Sequence, residues 1–136
     1  MSSHEIKVVE DFIAAINRRD PGGICELMTE DHTFVDSMGT TASGHDHMLA
    51  GWQEYYRMFP DYEVQVEQMV ADKDLVAVFG STSGTYNGKR GLVEENRITM
   101  PAAWRAVVAG DKIKYWQVYA DWTEGWKIIE EDKRSS

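Results

Sequence analysis

Only one cysteine, Cys25, occurs among the 136 residues, so no disulfide can form within the chain. Its neighbours Ile24, Leu27 and Met28 make it a buried thiol rather than a catalytic thiolate. Basic residues are scarce as well: 14 Lys and Arg stand against 23 Asp and Glu, a formal net charge of −9. Phosphate binding needs a clustered basic face, and no dense Lys/Arg run is present, which argues against nucleic acid and against an anionic membrane surface as partners. The acidity itself implies a well-solvated surface. No apolar stretch approaches the length of a membrane span, and Met1-Ser2-Ser3-His4-Glu5 has no basic region followed by an apolar run. A cytoplasmic protein is expected. Ser81-Thr82-Ser83-Gly84-Thr85 lacks both the spaced glycines and lysine of a phosphate loop and the Gly-x-Ser-x-Gly frame of a nucleophile elbow, so it reads as strand.

Apolar side chains are plentiful. Aliphatic and aromatic residues make up 43% of the chain, with 5 Trp, 6 Tyr, 4 Phe and 7 Met, enough for a core and a lined cavity. The length suits one domain, because halves would be too small to bury much core. The expected organisation is a single domain over residues 1–129 and a charged tail, 130–136, that frays.

The apolar period of Ile6, Val9, Phe12, Ile13 and Ile16 predicts a helix from Ser3 to Arg19, and Asp20-Pro21 starts a short second helix through Met28. From Asp31 to Asp36 the period changes to two, marking a short strand. A loop over residues 37–44 precedes a third helix from His45 to Phe59, with Met48, Leu49, Trp52, Tyr55, Tyr56 and Phe59 as a broad stripe and Pro60 as its stop. Strands follow over Tyr62–Val70, Leu75–Tyr86, Asn96–Val108 and Lys112–Trp122, joined by short turns. Pro101 fits such a strand only at an edge or irregularity.

This order of elements, with Asp31-His32-Thr33-Phe34-Val35-Asp36-Ser37 after the helical hairpin and Trp116-Gln117-Val118-Tyr119-Ala120-Asp121-Trp122 on the last strand, resembles the nuclear-transport-factor-2-like superfamily. Ketosteroid isomerase, limonene epoxide hydrolase, scytalone dehydratase and the SnoaL-type polyketide cyclases belong to it, and SnoaL-like proteins look closest. The resemblance spans Ile6 to Trp122. It implies an α+β fold: a cone-shaped, curved antiparallel sheet wrapped around three helices and enclosing an apolar pocket. Glycines at Gly80, Gly84 and Gly88 would allow the sheet to bend.

The same resemblance supplies candidate chemistry. Asp36 takes the position of the isomerase's proton-shuttling carboxylate, and an apolar surrounding would raise its pKa as a general base requires; the alternative is an Asp that hydrogen-bonds its own turn. The isomerase's two proton donors fall on Phe12 and Ala103, which cannot donate, so steroid-isomerase chemistry is disfavoured. Epoxide hydrolysis is disfavoured too, since its charged pair falls on the uncharged run Phe79–Gly84. Asp121 aligns with a catalytic carboxylate on the last strand of limonene epoxide hydrolase and with the acid/base group of the cyclases. Parity groups it with Tyr119, Gln117 and Tyr115, against Trp116, Val118, Ala120 and Trp122, and alternation leaves open which face is concave.

Asp36 and Asp121 in one dry site would divide into an acid and a base, with His32 as a proton partner or, alternatively, a hydrogen-bonded rim residue. Phe34, Trp52, Tyr55, Tyr56, Trp104 and Tyr119 would wall a flat, hydrophobic substrate. His45 and His47 diverge by about 200° on a helix, which argues against a metal, and no cofactor is expected. Two functions fit: cofactor-independent acid/base chemistry on a hydrophobic carbonyl or polyketide-like substrate, of cyclase, isomerase, dehydratase or hydrolase type, and a non-catalytic ligand-binding or assembly module. By resemblance a homodimer is expected through the outer sheet face, with Trp116 and Trp122 as anchors.

Overall fold

A stripe of Val8, Val9, Phe12, Ile13 and Ile16, all buried, organises the first helix, α1 (Ser2–Asn17), in the computed structural model, which describes residues 2–135. A short helix, α2 (Pro21–Glu26), follows; Asp20 caps it by accepting a 3.1 Å bond from the Gly23 amide, with Pro21 at its first position. Then come β1 (Met28–Val35), β2 (Thr41–Ser43), α3 (His45–Met58), β3 (Glu63–Asp72), β4 (Leu75–Thr85), a turn of 3-10 helix (Glu94–Asn96), β5 (Arg97–Ala109), β6 (Lys112–Ala120) and α4 (Thr123–Arg134).

The six strands form one sheet in the order β2-β1-β6-β5-β4-β3. Strands β3 to β6 make the expected meander, with Lys73-Asp74 and Gly110-Asp111 turning the two tightest hairpins; Lys73 and Gly110 hold positive φ angles of 57° and 63° there. The sheet is not wholly antiparallel, because β1 runs parallel to β6, pairing Phe34 with Trp116 and Val35 with Gln117. Side-chain alternation is the same in either direction, so strand sense was invisible in the pattern. Pro101 is tolerated where β6 has already ended, since the last β5–β6 pair is Ala102 with Ala120.

Curvature comes from irregularities rather than from glycines in general. The β3 ladder slips between Val66 and Gln68, opposite Gly80, and a Cβ on Gly80 would lie 1.9 Å from the Gln65 carbonyl oxygen. Gly88 is not in the sheet at all; it sits against Asp132.

Among the described residues, four α-helices, not three, pack around the sheet. The segment expected to fray is the last part of α4: Asp132 is buried, and Lys133 and Arg134 end the helix where cations suit its dipole. Ser136, the last residue of that expected tail, lies outside the described residues. Among the described residues, no helix is long and apolar enough to cross a membrane.

Candidate functional site

Between the concave face of the sheet and the helices lies a cavity of about 490 Å³, a size in the range of small-molecule sites. Its wall is built by helical and strand periodicity together. From α3 come Met48, Trp52, Tyr55 and Met58; from β5, Met100 and Trp104; from β6, Trp116, Val118 and Ala120; and from β1, Phe34. One stripe at helical spacing, Trp122 at the cap of α4 and Trp126, Ile129 and Lys133 within it, closes the remaining side. All five tryptophans of the chain line this one space.

The aromatic wall is braced from within. Trp104 stacks on Trp116 at 6.3 Å between ring centroids, Phe12 meets Trp116 edge-on at 4.9 Å, and Trp52 stacks on Tyr56 at 5.6 Å. Burial pushes the phenols of Tyr55 and Tyr62 far above their usual pKa. Both therefore stay protonated near neutrality and can serve only as neutral hydrogen-bonding groups.

Polar groups are few. Asp36, Ser37, His47 and Lys133 stand on the solvent side with exposed Met38 and Trp126, whereas Thr82 lies buried on β4. Asp36 is the one carboxylate among the lining residues. Its Oδ1 accepts hydrogen bonds from the amides of Met38 at 2.9 Å and Thr40 at 3.0 Å, so the turn-binding geometry anticipated for this Asp is present. Those two amides fix the carboxylate at the cavity edge, and no hydrogen bond engages its Oδ2 among the described residues.

The other candidates separate. Phe34, Trp52, Tyr55 and Trp104 line the cavity with Asp36. Asp121 does not: the concave face of β6 carries Trp116, Val118 and Ala120, which puts Tyr119 and Asp121 on the opposite side. There Asp121 Oδ1 accepts bonds from the Thr123 hydroxyl at 2.6 Å and the Thr123 amide at 2.9 Å, which hold its carboxyl below the usual range. It works as the turn into α4. Tyr119, 48% exposed, is likewise no part of the wall.

His32 is also elsewhere. It is fully buried against Phe12, and its Nδ1–H donates to the Ile113 carbonyl at 2.7 Å. Burial pushes its pKa down, against the opposing effect of that bond, so the neutral ring is favoured. It is a core histidine and not a proton partner of Asp36. Tyr56 turns its hydroxyl away to the Ile16 carbonyl at 2.6 Å and supports Trp52 from behind. Trp116, 2% exposed, and the cavity-lining Trp122 cannot anchor a dimer through the outer face. That face instead carries Val70, Phe79 and Tyr119, all exposed, with Phe79, Ala103 and Tyr119 paired in one row.

His45 Nε2 meets the Thr29 carbonyl at 3.0 Å while His47 lines the cavity, so the two rings part as helical geometry requires. Among the described residues, no group of three or more His, Cys, Asp or Glu side chains is arranged to hold a metal ion. Sequence reasoning missed the α4 contribution, although the spacing of Trp122, Trp126 and Ile129 carried it. It also missed Met38, His47 and Thr82, for which no local pattern existed.

A family model described as the SnoaL-like domain matches residues 9–116. No curated protein sequence matches the chain. Among solved structures, TerC co-crystallised with polyporic acid is 20% identical, with 94% of this chain and 99% of that one covered and a TM-score of 0.78. A protein of Shewanella denitrificans described as a SnoaL-like polyketide cyclase is 15% identical, with 97% and 98% covered and a TM-score of 0.77. A protein of ketosteroid-isomerase-like fold from Catenulispora acidiphila, in complex with trimethylamine, is 21% identical, with 83% and 84% covered and a TM-score of 0.73. At such identities these structures establish the fold alone. The match over residues 9–116 and the cone of sheet and helices agree: the chain belongs to the SnoaL-like domain family.

Proposed function

We propose that this chain binds a flat, largely apolar carbonyl compound in its cavity and moves a proton on it, with Asp36 as the base and no cofactor. The observation that carries this reading is a wall of five indoles with a single carboxylate held at its edge by two backbone amides. An aromatic wall buries a planar ligand and excludes water, which strengthens any charge interaction inside. Asp36 Oδ2 takes a proton from the carbon next to the carbonyl. The C–H electron pair moves to form the carbon–carbon double bond of an enolate, the carbonyl oxygen takes the charge, and return of the proton elsewhere completes an isomerisation or starts a cyclisation. The structural neighbours bound to polyporic acid or described as a polyketide cyclase support a ligand of this class.

Exchange in heavy water tests the step. Wild-type protein should accelerate deuterium incorporation at the methyl group of 2-acetylnaphthalene, Asp36→Asn should reduce that rate by about 100-fold or more, and Asp121→Asn should leave it unchanged. Equal rates for wild type and Asp36→Asn would remove the base.

A second reading has its own observation. With Asp121 on the opposite face and His32 in the core, Asp36 has no partner acid among the residues predicted for that role. The cavity would then serve a ligand-binding or assembly module, recognised by binding of the same ketone without exchange. For either reading we propose a homodimer through the outer face around Phe79 and Tyr119. Sedimentation would show a dimer for wild type and a monomer for a Phe79→Lys, Tyr119→Lys variant.

A further inference from the structure

Three hydroxyl-bearing side chains come together at the inner end of the cavity. Tyr55 on α3, Tyr62 just before β3 and Thr82 on β4 share a recess with Phe59, Met100 and Trp122, and all three also line the main cavity. The Tyr55 and Tyr62 rings meet edge-on at 4.9 Å between centroids. Among the described residues, none of the three hydroxyls has a hydrogen-bond partner, and none is sealed off by packing, as His32 Nε2 and Trp52 Nε1 are. Their oxygens therefore open on accessible space. For Thr82, 7% exposed on an inner strand of the sheet, that space is the cavity it lines. Depth says the same of the two phenols, since burial is the main cause that pushes their pKa values up.

Hydroxyls that the protein leaves unpaired must find their hydrogen bonds in what fills the recess. A wholly apolar ligand end would displace water from all three and offer nothing in return, which is costly. An oxygen atom there satisfies them, because each hydroxyl can donate one bond and accept others. Such a site discriminates against the analogue that lacks the oxygen. Asp36 cannot be reached from the same ligand atom. It follows β1, and in the order β1-β6-β5-β4 it stands three strand spacings from the strand of Thr82, about 14 Å along the curved sheet.

Resting on the proposed function above, we infer that the recess of Tyr55, Tyr62 and Thr82 is a subsite for a second ligand oxygen. The ligand class is then a flat aromatic ketone that carries a hydroxyl or carbonyl oxygen at the end remote from the carbon deprotonated by Asp36. Capture of that oxygen decides which end of the ligand enters first, and so presents the ketone end to Asp36.

The test compares 2-acetyl-6-hydroxynaphthalene, whose hydroxyl lies at the far end from the ketone, with 2-acetyl-6-methylnaphthalene, which has a methyl group of similar size there. Nuclear magnetic resonance titration of the full chain measures both affinities. Wild type should prefer the hydroxyl compound by roughly tenfold. A Tyr55→Phe, Tyr62→Phe variant, which removes two hydroxyls and keeps both rings, should cut that preference to about twofold while binding the methyl compound at least as tightly as wild type. In wild-type protein, the ring protons beside the ligand hydroxyl should show nuclear Overhauser contacts with the Tyr62 ring and the Thr82 methyl group; this readout does not depend on the variant folding. Equal binding of the two compounds by wild type, a preference that survives the double substitution, or the absence of those contacts overturns the inference. Binding of 2-acetylnaphthalene but of neither substituted compound does the same, and the Asp36→Asn exchange comparison then decides the proposed function separately. Binding of none of the three ketones overturns the proposed function and the inference with it.

Discussion

Asp132, near the end of α4, accepts a 2.9 Å hydrogen bond from the side-chain amide of Asn96, 36 residues earlier in the chain. Both side chains are fully enclosed. The same carboxylate accepts the amides of Lys89 at 2.7 Å and Arg90 at 2.8 Å, and the Arg90 guanidinium stands 3.6 Å away. Asn96 in turn ties down the Tyr86 and Gly91 carbonyls. The network fastens to the body of the protein the helix that brings Trp126, Ile129 and Lys133 to the cavity.

Asp132→Asn should loosen that helix, because the new amide would face three N–H donors with a donor of its own. Hydrogen exchange over residues 123–134 should accelerate and ligand affinity fall, whereas Glu130→Gln, on the exposed side of the same helix, should change neither. The pH sense follows from the carboxyl. Burial pushes its pKa up, but the bonds from Asn96 and the Arg90 and Lys89 amides, with the Arg90 charge, prevail and hold it below the ordinary value. Its stabilising contribution is therefore complete above the unfolded carboxyl pKa of about 3.9 and is lost as pH falls through the lower folded value. Exchange protection of α4 measured from pH 6 to pH 3 should persist until below that unfolded pKa.

His32 sets a second acid dependence in a different window. Its folded pKa is lowered from 6.5, so as pH falls below that value the unfolded chain binds the proton first and stability declines. The decline can reach about 1.4 kcal/mol per pH unit for a single group. His32→Leu should be less stable at pH 8, by about 1–3 kcal/mol for the donor taken from the Ile113 carbonyl. Its difference from wild type should shrink between pH 6.5 and 5. Urea denaturation across that range measures both; a constant difference would show that His32 does not titrate between the folded and unfolded states.

The parts of this molecule that were legible in the sequence are those where one local period decides the outcome. Val9, Phe12 and Ile16 announce α1, and the hairpin turns at Lys73-Asp74 and Gly110-Asp111 announce the meander. Candidate residues on those periods, Phe34, Trp52, Tyr55 and Trp104, reach the cavity. What stayed hidden depends on relations that no period encodes. Alternation separated Asp121 and Tyr119 from Trp116 and Val118 correctly but could not say which set is concave, because both faces of β6 carry large aromatic groups. The parallel sense of β1 against β6 is a consequence of topology. Charges in Glu130-Glu131-Asp132-Lys133-Arg134 read as solvent-facing, yet Asp132 is buried because backbone amides some 40 residues away supply its hydrogen bonds.

Gly80 locates the bend of the sheet. The bulge on β3 brings the Gln65 carbonyl so close that an added Cβ would lie 1.9 Å from its oxygen, and the contact is with backbone, which cannot swing aside. Gly80→Ala should destabilise the fold by about 3 kcal/mol or more, measured by urea denaturation. Retention of wild-type stability would mean that the ladder there shifts register at little cost.

Gly51 offers the opposite situation and the cleanest way to separate the cavity from the core. It lies within α3 and lines the cavity, and a Cβ at this position would meet nothing within 4 Å. Glycine in a helix costs backbone entropy, so Gly51→Ala should stabilise the protein by about 0.5–1 kcal/mol. Gly51→Phe places a ring on the cavity side of a helix whose buried contacts, through Met48 and Trp52, are made by other residues. The variant should therefore keep the thermal stability of wild type while its affinity for 2-acetylnaphthalene falls by tenfold or more, the equivalent of about 1.4 kcal/mol. Because the fold is untouched, the loss would report on occupancy alone. Undiminished affinity in a stable Gly51→Phe protein would mean that the ketone binds elsewhere, and the role argued for Asp36 would fall with it.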